Sequence, residues 1–422
     1  MTPVTPANNY NMLKLLYTNE NGDLLVAEDL EALGGRGDSF VSADSFIPMP
    51  AGATLASLPG RVPLGKDKNG NFVPLGEKGW PVAALLPQGF TRTLLPAYVK
   101  GEEGPDVLPL LGYTAVALDG DTVKVAAIQT DEHRIWHPDH YNTEDLPRRI
   151  RRVRNIFPKN RIVSQLAHCS LNYGCFTAQN FFYRRWEGGL PVSPACNAQC
   201  VGCISEQQSE CCPSPQGRID FRPKVREIAE VGAFHLSGKR KDNIISFGQG
   251  CEGEPSLEAE RIAKSIQVIR DHTQQGTINI NTNAGNLDHI RTIVDSGLDT
   301  MRVSLFSAKE EHYQRYYRPR NYTLADVERS IAYGVDHGVY VSLNLLAFPG
   351  FTDREEEIAA LLELIRRTGL QKVQIRNLNI DCDYFYDALD FSKESSLGMD
   401  VLIQTLENNG IAVGNYSRPK KS

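Results

Sequence analysis

Between Pro191 and Ser205 the chain reads Pro-Val-Ser-Pro-Ala-Cys-Asn-Ala-Gln-Cys-Val-Gly-Cys-Ile-Ser, which places Cys196, Cys200 and Cys203 within eight residues as C-x3-C-x2-C. Thiolates spaced this closely suit a soft metal or an iron–sulfur cluster. Three ligands instead of four leave one iron of a four-iron cluster open for something else. The i, i+4, i+7 spacing also matches the apolar stripe of a buried helix. Two prolines upstream, Gly202 inside the run and polar Asn197 and Gln199 between the cysteines favour a loop instead. Zinc is a third option, although structural zinc usually takes four ligands in paired spacings.

A loop of this kind needs a frame, and the residues after about 190 supply one. A helix over 224–236 precedes the apolar strand 243–247, and the turn Gly248-Gln-Gly-Cys-Glu-Gly-Glu-Pro255 leads into a helix over 256–270. Strands at 277–281, 300–305, 339–346 and 372–378 alternate with helices at 286–296, 324–337 and 355–368. The pattern predicts an α/β fold, a partial (β/α)6 TIM-like barrel over 191–385. A C-terminal helix and solvated tail follow over 386–422. Parallel barrels place their chemistry at the C-terminal ends of the strands.

Residues 1–140 have a different texture, with short β-rich pieces among glycine- and proline-rich turns. Asn21-Gly22, Asn69-Gly70 and Asp119-Gly120 are hairpin signals, so a small β-rich N-terminal domain is expected. His133, His137 and His140 follow it and read as solvated loop histidines rather than a metal site. Residues 141–190 read as a linker, with a helix over 144–157 and then an aromatic cluster. That helix carries Arg148, Arg149, Arg151, Arg152 and Arg154 on one face, which suits either ion-paired solvent exposure or contact with an anionic substrate such as RNA.

Over 422 residues, the net charge of −6 gives no global reason to expect nucleic-acid binding. No basic start followed by an apolar run marks a signal peptide, and no apolar run approaches the ~20 residues that span a bilayer. A cytoplasmic protein with no membrane association is expected. Its nine cysteines then read as ligands or free thiols before disulfides.

The cysteine run resembles the cluster signature of the radical S-adenosylmethionine (radical SAM) superfamily, and the later strand ends occur in the order that superfamily's barrel requires. Gly253-Glu254-Pro255 resembles its GGEP motif, with Glu252 where the first glycine usually stands. Asn281-Thr282-Asn283 resembles the Thr-Asn-Gly end of the third strand, with Ala284 in place of glycine. Ser304 and Asn344 fall on the strands that approach SAM in relatives. On the sixth strand, Gln374 and Arg376 share a face, where Arg376 would need an anionic partner. Arg318 and Arg320 are further candidates for substrate or the SAM carboxylate. Many relatives carry an aromatic residue that lines the adenine just before the last cysteine, and this chain has Gly202 there.

The resemblance implies a [4Fe-4S] cluster held by Cys196, Cys200 and Cys203, and SAM held around Gly253, Glu254, Asn281, Thr282, Ser304, Asn344, Gln374 and Arg376. It implies oxygen-sensitive reductive cleavage of SAM to a 5′-deoxyadenosyl radical that abstracts hydrogen from a substrate, with flavodoxin or ferredoxin as reductant. The substrate is open among peptide or RNA modification, sulfur insertion and cofactor biosynthesis. Several relatives carry an auxiliary cluster, for which Cys169 or Cys211 with Cys175, Cys212 and Cys251 are the candidates. The alternatives are a non-catalytic iron–sulfur or zinc protein for electron transfer or sensing, and a phosphate-binding barrel in which the cysteines are structural.

Overall fold

The structure, a computed structural model, describes residues 12–420 apart from 44, 77–78, 133 and 208–211, so Cys211 and His133 lie outside the described residues. Two β architectures share the chain. Between Lys14 and Val125, twelve strands form an antiparallel sheet, and Phe90–Arg92 pairs with Ala127–Gln129 beside it. Each of the three hairpin signals joins two antiparallel strands of this sheet. Gly22, Gly70 and Gly120 turn the chain at positive φ, where a side chain would be strained.

The second sheet is parallel throughout and ordered as the sequence runs: Glu187–Gly189, Ile244–Phe247, Thr277–Thr282, Thr300–Leu305, Tyr340–Ala347, Lys372–Asn377 and Ala412–Gly414. Helices such as Val225–Leu236, Ala259–His272 and Glu355–Thr368 cover its outer face. Seven strands stand where periodicity suggests about six units. Glu187–Gly189 and Ala412–Gly414 are three residues each, too short for alternation to be read. The alternation that is legible has a clear cause. Met301, Val303, Val373 and Ile375 are fully buried in one apolar core with the helices. Between them, Arg302, Ser304, Gln374 and Arg376 line cavities inside the curve of the sheet.

The inward residues form two layers. In the lower one, Arg302 pairs with Glu187, both nearly inaccessible to solvent, and Glu187 also accepts from Ser246 Oγ at 2.7 Å. Burial alone would push the Glu187 carboxyl up, but the Arg302 charge and these hydrogen bonds hold it below its ordinary value. The tail is not merely solvated. Ser417 Oγ donates to Glu187 at 2.8 Å, Arg418 pairs with Asp131 at 3.0 Å, and the Lys420 amide donates to Thr277 Oγ1 at 2.9 Å. The tail thus lies against this lower layer.

The antiparallel sheet is joined to the upper end of the parallel one by buried polar contacts. Arg61 pairs with Asp381 at 2.8 Å with neither side chain exposed, and Asp381 also caps the helix Cys382–Leu389. Arg92, likewise buried, donates to the carbonyl of Leu378 at 2.7 Å. Asn377 Nδ2 donates to the Phe90 carbonyl, and the Gly89 amide donates to Asn415 Oδ1. Residues 86–90 are thereby fixed over the end of the sixth parallel strand.

Candidate functional site

The cysteine loop leaves the Glu187–Gly189 strand and is clamped on both flanks. On one side the amides of Gly253 and Glu254 donate to the carbonyls of Ser193 and Ala195, at 2.8 and 2.9 Å. A Cβ on Gly253 would stand 2.0 Å from the Ala195 oxygen, so no other residue fits that approach. On the other side the amides of Gln199, Val201 and Arg320 donate to the carbonyls of Tyr317, Tyr316 and Asn197. Asn283 Nδ2 reaches Asn197 Oδ1 at 2.6 Å and ties the loop to the end of the third parallel strand.

This clamping turns all three cysteines toward one pocket of about 210 Å3, which Arg218 and Arg318 also line. Burial pushes the Cys196 and Cys200 thiols up, and the neighbouring thiols and Glu254 add to the effect. Among the described residues, no three His, Cys, Asp or Glu side chains converge closely enough to hold a single metal ion.

Cys200 and Cys203 also border a second cavity of about 580 Å3, at the upper ends of the parallel strands. Ser304, Asn344 and Arg376 stand in its wall with Tyr316, Asn379 and Asn415, and Leu86, Gln88 and Phe90 enter from the antiparallel sheet. Ser304 and Asn344 are direct cross-strand partners. Asn344 leaves its Oδ1 without a hydrogen-bond partner in the protein. Burial lowers the Arg376 guanidinium to about 10, and one of its N–H groups donates to the Asn415 carbonyl. A larger groove of about 680 Å3 lies between outer helix faces around Phe157, Ala233 and Phe234, but no strand end opens into it.

The structure separates other residues that the sequence groups with these. Gln374 lies one layer deeper, where its amide donates to Ser342 Oγ at 3.1 Å. The Glu254 carboxylate accepts from the amides of Ser256 and Asn283 and from Thr282 Oγ1, so it holds the turn to the third strand's end. Asn281 donates to the carbonyls of Phe247 and Gly248 in the same joint. Glu252 accepts from the amides of Val192, Ser193, Gly248 and Gln249. Burial raises its carboxyl to about 7 in spite of those four donors. Ala284 adopts φ +53°, a left-handed conformation that glycine would take without strain. Of the five arginines on the Leu146–Ile156 helix, none lines either cavity, and Arg148 and Arg149 pair with Asp145.

Two features escape sequence reasoning. Tyr316 brings its hydroxyl to where a side chain at 202 would begin, 2.8 Å from an added Cβ, so an aromatic ring does stand beside Gly202. Arg218 is the other, and no motif marks it. Three of the remaining cysteines form a group of their own. Cys169 and Cys251 are hydrogen-bonded to each other, with Cys175 within electrostatic range of both. Cys212 is half-buried and lies within electrostatic range of Tyr113.

Residues 190–362 match the family profile described as Radical SAM superfamily. Two curated proteins, each named probable GTP 3′,8-cyclase, are similar over 212 residues, 47% of this chain and 57% of theirs. The protein from Methanosarcina acetivorans is 28% identical and that from Methanosarcina mazei 27%. The chain thus spans little more than half the length of these relatives. Among solved structures, Streptococcus suis SuiB bound to precursor peptide SuiA is 12% identical with a TM-score of 0.37, over 61% of this chain and 53% of that one. A radical SAM methyltransferase from Sphaerobacter thermophilus is 13% identical with a TM-score of 0.39, over 54% and 64%.

Proposed function

We propose, for a chain that belongs to the radical SAM superfamily and is an enzyme of it, that Cys196, Cys200 and Cys203 hold the family's [4Fe-4S] cluster and that SAM and substrate share the adjoining cavity. The observation that carries this is the shared wall: Cys200 and Cys203 border both the thiol-lined pocket and the larger cavity at the strand ends. Cys196, Cys200 and Cys203 would hold the cluster, which when bound would supply the one-electron reduction that cleaves SAM and opens hydrogen-abstraction chemistry on a substrate in the same cavity.

The chain's own part is binding, orientation and exclusion of water. Asn344, with its unpartnered Oδ1, is an acceptor for an ammonium or hydroxyl group, and Ser304 beside it adds a hydroxyl. Tyr316 brings its phenol hydroxyl into the cavity wall beside Gly202. Gly253, Glu254, Asn281 and Thr282 act indirectly, by bracing the turn against the cysteine loop. Gln374 supports the layer beneath. Arg376 presents a cation to the cavity and favours a substrate with a carboxylate or phosphate. GTP, which the curated relatives' names contain, is the first such compound to try. Residues 86–90 cover part of the cavity, which suits a small substrate better than a folded RNA. An acidic low-potential flavodoxin or ferredoxin would serve as donor.

The test is anaerobic. Protein reconstituted with iron and sulfide is reduced with dithionite in the presence of SAM, and 5′-deoxyadenosine is measured. Release above that of the triple alanine variant at 196, 200 and 203 is expected. Cluster-loaded protein that neither binds nor cleaves SAM refutes the enzyme assignment for this cavity.

A further inference from the structure

Arg218 lies in a stretch without helix or strand, yet its position is tightly specified. One terminal N–H donates to Cys203 Sγ at 3.8 Å, and the same side chain lines the pocket that all three loop cysteines share. Its Nε donates to Ser205 Oγ at 3.2 Å, and Ser205 in turn donates to the Glu252 carbonyl, so the guanidinium is anchored to the frame that clamps the loop. Its counter-ion, Glu206, pairs at 2.5 Å, but the two differ in setting: the Arg218 side chain is 14% exposed and that of Glu206 is 68% exposed. Solvent screens the carboxylate far more than the cation. Glu206 lines the same pocket, but it is Arg218 whose N–H reaches the Cys203 sulfur. Arg318 lines the same pocket but donates to no sulfur among the described residues.

We propose that Arg218 is a positioning residue for electron entry: held against Cys203, it raises the reduction potential of the cluster that the loop carries. The proposal rests on the cluster assignment above. Reduction adds one electron to the cluster from an external one-electron donor, with no bond made or broken and no proton transferred. The added negative charge is stabilised by a fixed cation at bonding distance from a ligand sulfur, and hydrogen bonds to cluster sulfurs act in the same direction.

The experiment is a dithionite titration of the reconstituted protein without SAM, followed by the electron paramagnetic resonance signal of the reduced cluster, after iron and sulfide have been counted. Arg218→Gln with a full iron content is expected to titrate at a more negative potential than wild type. Arg218→Lys, which keeps the charge, is expected to stay close to wild type. Glu206→Gln, which removes the opposing carboxylate at an exposed position, is expected to shift the potential positive by a smaller amount. An Arg218→Gln protein with full iron and an unmoved potential overturns the proposal, including the case in which it only weakens SAM binding by equilibrium dialysis, which would make Arg218 a SAM ligand. If Arg218→Gln loses iron, Glu206→Gln decides: a positive shift supports the proposal and an unmoved potential overturns it. Wild-type protein that takes up no iron would instead refute the underlying cluster assignment.

Discussion

Two groups of cysteines lie in the same parallel-sheet region and have opposite surroundings. Cys196, Cys200 and Cys203 sit on an irregular loop, half-buried, and line a cavity wall with an arginine at hand. Cys169 and Cys251 are buried between the helix Arg161–Asn172 and the turn after Ile244–Phe247, with their thiols spent on each other. Hydrogen bonding within that pair holds Cys169 low and pushes Cys251 well up. A sulfur that is to hold a cluster needs open space in front of it, and a sulfur that fills a core needs none. The difference teaches that environment, more than the number of thiols, separates ligands from packing.

The largest test breaks or keeps that comparison outright. Alanine at 196, 200 and 203 together is expected to abolish iron binding, whereas Cys169→Ala with Cys251→Ala is expected to leave about four irons per chain. A wild-type value of about eight that falls to about four in the second variant would give the rear group a cluster of its own. A second variant sharpens the comparison by loosening only the front. Asp381→Ala removes the nearer of the two carboxylates on buried Arg61, leaving Asp383 at 3.4 Å, and chemical denaturation should show a loss of about 1–3 kcal/mol. In the same variant, air should bleach the cluster faster.

Acid should act on the rear side. Burial lowers His235, on the helix Val225–Leu236, to about 4. Its folded-state value lies below the unfolded one of about 6.5, so its contribution is complete above that pH and is lost on acidification through the window down to about 4, about 3 kcal/mol in all. Denaturation midpoints across this window should converge for wild type and His235→Gln as the pH falls. The smallest effect returns to the front. Gly202→Ala meets the Tyr316 hydroxyl at 2.8 Å and should cost about 1–3 kcal/mol by overpacking. Adding Tyr316→Phe should recover part of it.

Much of this organisation is legible in the sequence, for physical reasons. The long strands such as Thr300–Leu305 show period-two alternation because one face meets helices and the other meets the barrel interior. The helix Glu355–Thr368 begins and ends where charge and Gly369 predict, with three glutamates in its first turn and a left-handed glycine after its last. The edge strands Glu187–Gly189 and Ala412–Gly414 were hidden because three residues carry no period. The helix Cys382–Leu389 is hidden because eight residues make little more than two turns, too few for a 3.6-residue period to stand out.

The chain's sequence by itself determined the chemistry on offer: three thiols on a short loop between prolines, and polar residues alternating along strands that end near them. Local spacing suffices for that, because adjacent residues stay adjacent whatever the fold. Only the tertiary structure decided which polar residues face the cavity and which brace its frame, because that depends on distant segments meeting. Ser304, Asn344 and Arg376 reach the cavity, while Glu254 and Asn281 are consumed by neighbouring backbone. Tyr316 and Arg218 reach the loop from 113 and 15 residues beyond Cys203, distances at which no local rule of sequence speaks, and the packing of the loop against its neighbours places them there.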